Sequence, residues 1–408
     1  MSKIALNSNA SGTGVFTIAS PNSDTDRTLT LPDESGTVVS ENASGDVAVT
    51  GDITSNGNAV ITTQSPQLGR RNLIINGAMQ VAQRGISTTG ITSTNGYYTV
   101  DRFRALVGAG TFTMTQESHA NGPDGNQYSA KLAVTSTAAT GSTSSVRLDY
   151  FTEAQNCTFL NYGASDAKAV TLSFWVKGST TGTYAVSMYA NDAARVIGST
   201  YTINATDTWE YKTITFAGDT AGSFTSDNGK GLEVSWFLSA GSGLTSTDNT
   251  SWAAYATTNY AYDHTVDLAN TSSGYLQITG VQLEVGDVAT PFEHRSYGEE
   301  LALCQRYYWK LISSAARMAG RPGFSQTNTS NRMGIEFPFE MRSAPTFSQS
   351  GILVWDGVTT YSLSSPTSTR ADKFGFDADY LVTGITTLRP TWYYLNNSTD
   401  YLQFDAEL

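Results

Sequence analysis

Cysteine, histidine and positive charge are scarce in this sequence, and each scarcity excludes a class of protein. Only two of the 408 residues are cysteines, and Cys157 and Cys304 lie too far apart to form a disulfide framework or a metal motif. We expect both thiols to be free, buried and reduced. Lysine and arginine number 24 against 36 acidic residues, and no segment forms a basic stripe. The electrostatic footprint of a nucleic-acid-binding protein is therefore missing.

Long apolar runs are absent as well. No run approaches the roughly 18 residues that a transmembrane helix needs, and the N-terminal sequence MSKIALNSNASG has no apolar stretch typical of a secretion signal. We therefore expect no membrane insertion, and a chain that assembles in a reducing cytoplasm.

Motifs that carry catalysis or hold cofactors are not found. None of the three histidines, His119, His264 and His294, accompanies a Gly-x-Ser-x-Gly nucleophile turn. No phosphate-binding glycine loop occurs, and no calcium-loop pattern of alternating aspartates occurs. Carboxylates are numerous, but the sequence cannot place two of them across a groove, as glycoside hydrolysis requires. The sequence predicts no enzyme and no cofactor, and it leaves a structural metal ion undecided.

The residues that are present favour β-structure. Hydrophobic residues make up 39% and charged residues 15% of the chain, and the balance is rich in Thr, Ser, Asn and Gly. Alternating apolar and polar residues recur in QYSAKLAV, AVTLSFWVK, TYAVSMY and LEVSWFL. The pattern predicts an all-β chain. We expect a strand-and-turn shaft over 1–69, a jelly-roll-like antiparallel sandwich over 70–297 and, over 298–408, a short helix followed by a smaller β domain.

Residues 1–69 allow two interpretations. Their turns are dense and their apolar side chains sparse, as in DVAVTGDITSNGNAVITTQ. One interpretation is disorder, because so little apolar surface does not offset the entropy of the chain. The other is a shaft in which identical chains share one narrow core. The regular alternation favours the shaft.

Two local patterns predict how the later part of the chain is built. In YLQITGVQLEV the apolar parity changes at Gly280, which indicates a β-bulge. In SYGEELALCQRYYWKL, Ser296 and Glu299 form a capping box, and Leu301, Cys304 and Tyr308 form a helical stripe. Together the two patterns predict that the last strand of the sandwich is followed by a helix.

The stretch RRNLIINGAMQVAQRG marks the start of the sandwich. Its apolar residues lie at strand spacing around Gly77, which permits a bend, so we expect the first strand here. The inward-facing residues would be Leu73, Ile75, Met79 and Val81. The stretch also contains Arg70, Arg71 and Arg84, and we expect these to pair with carboxylates at the domain junction rather than with a ligand.

Several segments together resemble bacteriophage tail fibres. The segment GTGVFTIASPNSDTDRTLTLPDESGTVVS looks like a fibre N-terminus, and RRNLIINGAMQVAQRG followed by YYTVDRFRA resembles the opening of a carbohydrate-binding-like β-sandwich found in such fibres. TLSFWVKGSTTGTYAVSM and QITGVQLEVGDVATPFEHRSYGEELALCQRYYWK are similar to its middle and closing strands, and FPFEMRSAPTF and DYLQFDAEL to fibre C-terminal domains. The resemblance implies a homotrimer borne on the virion that contacts the host surface. It implies no particular ligand residues.

Aromatic side chains are the candidate ligand contacts, because tyrosine and tryptophan combine a flat apolar face with a polar group that suits sugar rings. Two polar segments, expected to be loops, carry them. The candidates are Trp252, Tyr255, Tyr260 and Tyr262 in the first segment and Trp392, Tyr393 and Tyr394 in the second. The alternatives are a trimer interface or a lid on the sandwich. Trp175 and Trp236 lie within strands, so we expect them in the core.

These observations predict a viral fibre that adheres to a bacterial surface, by recognising a glycan or an outer-membrane receptor. Its partners would be two copies of itself and other virion proteins, and its location the exterior of the virion. Two alternatives remain open. One is a structural virion component, such as a head fibre, decoration or baseplate protein, which binds nothing tightly. The other is a tail protein that degrades surface glycan.

Overall fold

The computed structural model describes residues 71–312 and 322–408, together with the backbone of three two-residue strands elsewhere. The chain divides into two compact units, Met1–Gln64 and Ser65–Leu408. In the first unit, strand β1 (Thr54–Ser55) pairs antiparallel with β2 (Asn58–Ala59). The rest of the expected shaft over 1–69 lies outside the described residues, and the domain boundaries given above stay predictions.

The second unit opens with a sandwich of two antiparallel sheets. Its strands are β3 (Ser87–Ile91), β4 (Thr94–Tyr97), β5 (Phe103–Val107), β6 (Thr111–Ser118), β7 (Tyr128–Ser136), β8 (Ser145–Glu153), β9 (Val170–Gly178), β10 (Gly182–Ala190), β11 (Arg195–Ile203), β12 (Glu210–Phe216), β13 (Lys230–Ala240), β14 (Ala253–Ala254) and β15 (Tyr275–Val285). The seven-stranded sheet has the order β14-β11-β10-β13-β8-β5-β4, and the six-stranded sheet β12-β9-β15-β7-β6-β3. Short 3-10 turns lie at Pro123–Gly125, Ala154–Asn156, Thr158–Leu160, Thr257–Asn259 and Leu268–Asn270. The all-β prediction is confirmed.

The sandwich core forms where the alternating residues of both sheets face each other. Trp236 in β13 is fully buried and lies between Phe103, at 6.3 Å between ring centroids, and Phe174, at 5.9 Å. Its core position is confirmed. In β15 the bulge is confirmed too, since Gly280 has a φ of +58° and the register with β9 shifts between Thr279 and Gln282. The shift keeps the apolar residues on both sides of the glycine in the same core.

The segment 71–86 is not the first strand of the sandwich, so that prediction is wrong. Its chain turns instead of pairing along a sheet, and Asn76 and Met79 have φ values of +62° and +57°. Ile74 is buried, in place of the expected Leu73 and Ile75. The side chains of Asn72 and Asn76 form hydrogen bonds with backbone groups that a neighbouring strand would otherwise satisfy.

Helix α1 (Tyr297–Gln305) follows the sandwich, and its capping box is confirmed. The hydroxyl of Ser296 accepts a hydrogen bond from the Glu299 amide, and the Glu299 carboxylate accepts one from the Ser296 amide. The expected stripe ends early, because Tyr308 already belongs to the next strand. Cys304 is buried within the helix, and both it and Cys157 are free, as predicted. No helix among the described residues is long and apolar enough to cross a membrane.

The C-terminal part consists of two further antiparallel sheets. Its strands are β16 (Tyr308–Ile312), β17 (Arg317–Met318), β18 (Gly323–Thr327), β19 (Ser330–Glu336), β20 (Thr346–Ser350), β21 (Ile352–Trp355), β22 (Thr360–Ser362), β23 (Ser368–Ala371), β24 (Gly375–Leu381), β25 (Pro390–Leu395) and β26 (Tyr401–Asp405). Three strands form one sheet, in the order β16-β26-β20. The other sheet has the order β22-β21-β25-β18-β19-β24-β23, and β17 also pairs with β25. The two sheets share one core, which includes Phe404, Phe376 and Met333.

A buried ionic cluster joins the sandwich to the chain end. Arg84 lies 3.0 Å from Asp405, 3.4 Å from Glu407 and 3.7 Å from Asp101. Arg102, which is fully buried, pairs with the same Glu407. Burial raises the pKa of Asp101 to about 6, although the guanidinium of Arg84 opposes the shift. The prediction that Arg84 pairs with carboxylates is therefore confirmed.

The other two arginines of the stretch RRNLIINGAMQVAQRG, Arg70 and Arg71, differ from Arg84. Arg71 donates a hydrogen bond to the carbonyl of Pro291 at 3.3 Å, and within 71–312 and 322–408 it has no carboxylate partner, so the prediction is wrong for that part of the chain. Arg70 lies outside the described residues. The buried cluster is thus assembled from one arginine of the stretch and from residues distant in sequence.

Candidate functional site

The first group of predicted ligand residues forms a lid, defined here as residues 241–266, over the outer side of the seven-stranded sheet. Tyr260 is buried, and its hydroxyl donates a hydrogen bond to the Glu233 carboxylate at 2.8 Å. Its ring packs edge-on against Phe237 at 5.3 Å between centroids. The expected loop position with an available ring is wrong for Tyr260, because its ring packs in a small apolar cluster with Phe237 and Ala185 on the outer side of this sheet. The alternative of a lid on the sandwich is the one observed.

The other members of the group are more accessible than Tyr260 but serve the same lid. Trp252 is half-buried; its indole N–H donates to the carbonyl of Ala217 at 2.6 Å, and its ring packs edge-on on Tyr162. Tyr262 is half-buried. Tyr255 is 42% exposed and contacts Tyr260 edge-on. The four side chains therefore do not converge on one cavity.

The lid also holds a neutral histidine, which gives a testable pH dependence. The Nδ1 atom of His264 accepts a hydrogen bond from the Ala185 amide at 3.0 Å, and Nε2 donates to the Val266 carbonyl. Burial lowers the pKa of His264 from 6.5 to about 4. Between these two pKa values the unfolded chain binds a proton that the folded chain does not. The free energy of unfolding therefore decreases as the pH falls through this range.

We expect the variant His264→Gln, which does not titrate, to isolate this effect. Its stability relative to the wild type is expected to rise as the pH falls from 6.5 to about 4, by up to about 3 kcal/mol. Urea unfolding of both proteins at each pH measures the difference. A difference that stays constant over this range would contradict the assignment of a neutral, buried His264.

The second group of predicted residues lies on strand β25 and not in a loop at the tip of the chain. Side chains alternate along the strand, so Tyr393 is fully buried while Trp392 is 38% exposed. Tyr394 is half-buried and faces the same side as Trp392. Burial strongly raises the pKa of the Tyr393 hydroxyl, which bonds to Asn331 in the core. Tyr393 is therefore corrected to a core residue, and the other two lie on an outward sheet surface.

The six-stranded sheet of the sandwich presents an aromatic outer surface that the sequence prediction missed. We call it the open face and define it by Trp175, Tyr211, Trp209, Tyr275, Lys131 and Lys177. Trp175 in β9 and Tyr211 in β12 are cross-strand partners, with ring centroids 5.2 Å apart. Tyr211 is 44% exposed and Trp175 half-buried. Together the two rings form a stepped apolar surface.

Cations and a histidine hold the remaining aromatic rings of the open face in place. The ammonium of Lys177 lies over the Trp209 ring at 5.0 Å, and that of Lys131 over the Tyr275 ring at 4.8 Å. The Trp209 ring also meets His119 edge-on at 5.5 Å. Burial and the neighbouring Lys177 lower the pKa of His119, so its imidazole is neutral at physiological pH. These contacts restrain the rings of Trp209 and Tyr275 on the sheet surface.

Unpaired amide oxygens lie among these rings. Gln277 pairs in register with both Lys177 and Lys131, and its Oε1 atom is buried without a hydrogen-bond partner. The Oδ1 atom of Asn126 is buried in the same way, and its side chain lies beside the bulge at Gly280. Both oxygens lie beneath the surface that the rings form, where an acceptor without a protein partner is costly.

The expectation that Trp175 lies in the core is wrong, and the alternation of β9 already contained the correction. Leu172, Phe174 and Val176 share one parity and are fully buried, which places Trp175 on the opposite, outer side. Tyr211 likewise has the parity opposite to Ile214 and Phe216, and its pairing with Trp175 places both rings on the same outer side. Strand parity predicts the side that a residue faces, but not what covers that side.

A metal centre is not found in the described part of the chain, where no group of three or more His, Cys, Asp or Glu side chains could hold an ion. The structural metal ion that the sequence left undecided therefore has no such group of ligands within 71–312 and 322–408.

The comparisons with known proteins yield distant structural likenesses. No family model matches the sequence, and no curated protein matches it. Over 53% of this chain, the structure is similar to the enzymatically active domain of tailspike protein 4 from bacteriophage CBA120, with a TM-score of 0.29 and 12% identity. That match spans 21% of the tailspike chain.

Two carbohydrate-binding structures are similar over a comparable part. The CBM22-1 xylan-binding domain from Paenibacillus barcinonensis matches 51% of this chain and 99% of its own, with a TM-score of 0.22 and 14% identity. TmCBM61 in complex with β-1,4-galactotriose matches 53% of this chain and 100% of its own, with a TM-score of 0.25 and 8% identity. At these TM-scores the likenesses carry no argument about function, which has to come from the residues.

Proposed function

We propose that this protein is a bacteriophage fibre that adheres to a glycan on a bacterial surface, and that the open face of its sandwich contacts the sugar. The carrying observation is the Trp175–Tyr211 ring pair on the outer side of the sheet, where Tyr211 is 44% exposed. The fibre assignment is supported by the sequence segments that resemble tail fibres, and it places the protein on the exterior of the virion.

The open face suits a saccharide for a chemical reason. The apolar faces of pyranose rings pack on flat aromatic rings, while their hydroxyl groups need donors and acceptors around the ring. Trp175 and Tyr211 supply the aromatic surface, and the ammonium of Lys177, two positions after Trp175 on the same side of the strand, supplies a donor. Because the cation–π contacts hold Trp209 and Tyr275 in place, less conformational entropy is lost on binding.

Adhesion without chemistry is favoured over glycan cleavage. A glycosidase needs one carboxyl group with a raised pKa in an accessible groove. In the described part of the chain, burial raises the pKa of Asp101 and Glu233. Asp101 belongs to the ionic cluster at the junction. Glu233 lies beneath the lid, where its carboxylate accepts a hydrogen bond from the Tyr260 hydroxyl. Neither group belongs to the open face.

The proposed assembly is a homotrimer attached to other virion proteins through the N-terminal segment. A single sheet surface binds a sugar weakly, because much of the contact stays wet and each hydrogen bond exchanges with water. Three copies on one fibre raise the effective concentration of the second and third contacts. Adhesion is then reversible at each site and strong for the particle.

Replacing both partner rings tests the proposal. We expect Trp175→Ala/Tyr211→Ala to weaken binding by about 30-fold or more, since a hot-spot aromatic contributes about 2 kcal/mol. Binding is measured on an array of purified bacterial lipopolysaccharides and capsular polysaccharides, and then by calorimetry with the glycan that gives the strongest signal. Tyr297→Ala is the matched control, because Tyr297 is 57% exposed on helix α1 and away from the strands of the open face.

The outcomes separate the proposal from its rivals. A wild-type protein that is folded and binds no glycan on the array supports a structural virion component instead. Release of reducing sugar from a bound polysaccharide supports a degrading enzyme. If the double variant binds as strongly as Tyr297→Ala, the open face is not the contact surface.

A further inference from the structure

We propose that the outward face of the large C-terminal sheet is a second saccharide-binding site, distinct from the open face. We call it the C-terminal face and define it by Trp355, Trp392, Phe324, Arg370, Asp377 and Phe374. The inference rests on the proposed function, because it assumes that glycans are what this protein binds. It adds a separate site, with its own residues and its own ligand chemistry.

Two indole rings form the aromatic half of the C-terminal face. Trp355 in β21 and Trp392 in β25 are cross-strand partners, and they are 37% and 38% exposed. On the same side, the hydroxyl of Tyr394 shares a 2.9 Å hydrogen bond with that of Thr360. Within the part of the chain that the structure describes, both rings stay partly exposed side by side, and exposed apolar patches mark interaction surfaces. Their exposure indicates a ligand with an apolar ring face.

A cleft forms the polar half of the same face. It has a volume of about 580 Å³ and is lined by residues that include Pro322, Gly334, Asp377, Arg370 and Phe374. Gly334 pairs in register with Asp377, and Asp377 pairs with Arg370, so the cleft crosses β19, β24 and β23. The missing side chain at Gly334 leaves room for the Asp377 side chain in the cleft, since a Cβ atom there would lie 2.9 Å from its Oδ1 atom.

The two halves are continuous across the sheet. Strand β18 lies between β25 and β19, where Phe324 pairs with Pro390 on one side and with Arg332 on the other. Adjacent strands are about 4.8 Å apart, so β25 and β19 are separated by about 10 Å. Phe324 is 45% exposed between them. An extended chain of sugar rings that runs across the strands can therefore contact Trp392 and enter the cleft.

The charges of this face favour a neutral glycan. Arg332 makes a two-pronged contact with Asp379, at 2.6 and 3.1 Å, and Arg370 lies 3.0 Å from the same carboxylate. Since the guanidinium groups are already paired, they do not attract a carboxylate or phosphate from the ligand as free charges would. They still donate hydrogen bonds to hydroxyl groups, and the carboxylates accept them. A polyhydroxylated, uncharged saccharide matches this arrangement.

The test uses the full-length protein and the array of lipopolysaccharides and capsular polysaccharides described above. We expect Trp355→Ala/Trp392→Ala to lose at least one array signal by about 10-fold or more while Tyr297→Ala retains it. Asp377→Asn is the second variant, since it leaves the aromatic rings in place and changes only the cleft. It is expected to weaken the same signals. Sedimentation of every variant measures the oligomeric state in parallel.

Each outcome decides the inference separately from the proposed function. If the tryptophan variant and Asp377→Asn keep every signal that the wild type gives, the C-terminal face is not a saccharide site, while the open-face proposal stands or falls on its own variants. A tryptophan variant that loses its oligomeric state shows that the face is a contact between copies, and this result overturns the inference too. Array signals lost in the tryptophan variant and kept in Trp175→Ala/Tyr211→Ala establish two sites.

Discussion

Replacement of Glu407 by glutamine is expected to destabilise the folded protein by about 3–5 kcal/mol, because it leaves a buried arginine without its counter-charge. Arg102 is fully buried, and among the described ion pairs Glu407 is the carboxylate that it contacts. Burial opposes the charge of Arg102, and the Glu407 carboxylate compensates by holding its pKa well above the ordinary value. The same carboxylate also lies 3.4 Å from Arg84. Urea unfolding at a fixed protein concentration measures the loss.

The matched control for this variant is Glu340→Gln. Glu340 pairs with Lys373 at 2.8 Å, but both side chains are nearly half exposed, at 46% and 47%. An exposed pair contributes between zero and about 1 kcal/mol, because water screens it and both side chains lose freedom in forming it. Equal effects of the two substitutions would show that the junction cluster is not shielded from water. The comparison tests whether Glu407 stabilises the contact between the sandwich and the C-terminal sheets through Arg84 and Arg102.

Replacement of Asn76 by alanine is expected to cost about 3–5 kcal/mol, as the sum of unsatisfied backbone groups and a strained backbone. The side-chain Nδ2 atom of Asn76 donates hydrogen bonds to the backbone carbonyls of Val81 and Asp101, at 2.8 and 3.0 Å. Its Oδ1 atom accepts one from the backbone amide of Val81 at 2.9 Å. Each of these backbone groups is buried and would lose its partner. The φ of +62° adds to the cost, since alanine rarely adopts this conformation.

Asn76→Gly separates the two contributions. Glycine adopts a positive φ without strain, so the glycine variant retains the hydrogen-bond loss but not the backbone strain. We expect it to be more stable than Asn76→Ala by about 1 kcal/mol and still well below the wild type. Thermal and urea unfolding of both variants give the order. A glycine variant as stable as the wild type would mean that the asparagine serves only to permit the turn.

Several elements could be predicted because their cause is local. The bulge at Gly280 follows from a change of parity around a residue that tolerates a positive φ. The capping box of Ser296 and Glu299 involves residues three positions apart, whose side chains and amides meet as soon as one helical turn forms. The core positions of β7, β9, β10 and β13 follow from alternation alone, since successive side chains of a strand face opposite sides.

The segment 71–86 shows why other predictions were wrong. Its apolar spacing fits a strand, yet its hydrogen-bond partners come from regions far away in sequence, such as the carboxylates of Glu293 and Glu300. No local pattern distinguishes an asparagine that bonds within a buried turn from one at the surface. Two predicted ligand residues, Tyr260 and Tyr393, are buried for the same reason, since elements that are remote in sequence cover them.

The sequence by itself determined the fold class, the strand faces and the free cysteines, because composition and a two-residue period act within each strand. Only the tertiary structure decided which faces are covered. The lid packs Tyr260 against the outer side of one sheet, while Trp175 and Tyr211 remain accessible on the other. The pairing of β21 with β25 brings Trp355 to Trp392 across 37 residues of sequence. Accessibility and cross-strand pairing depend on long-range packing, so the candidate binding surfaces appear only in the folded chain.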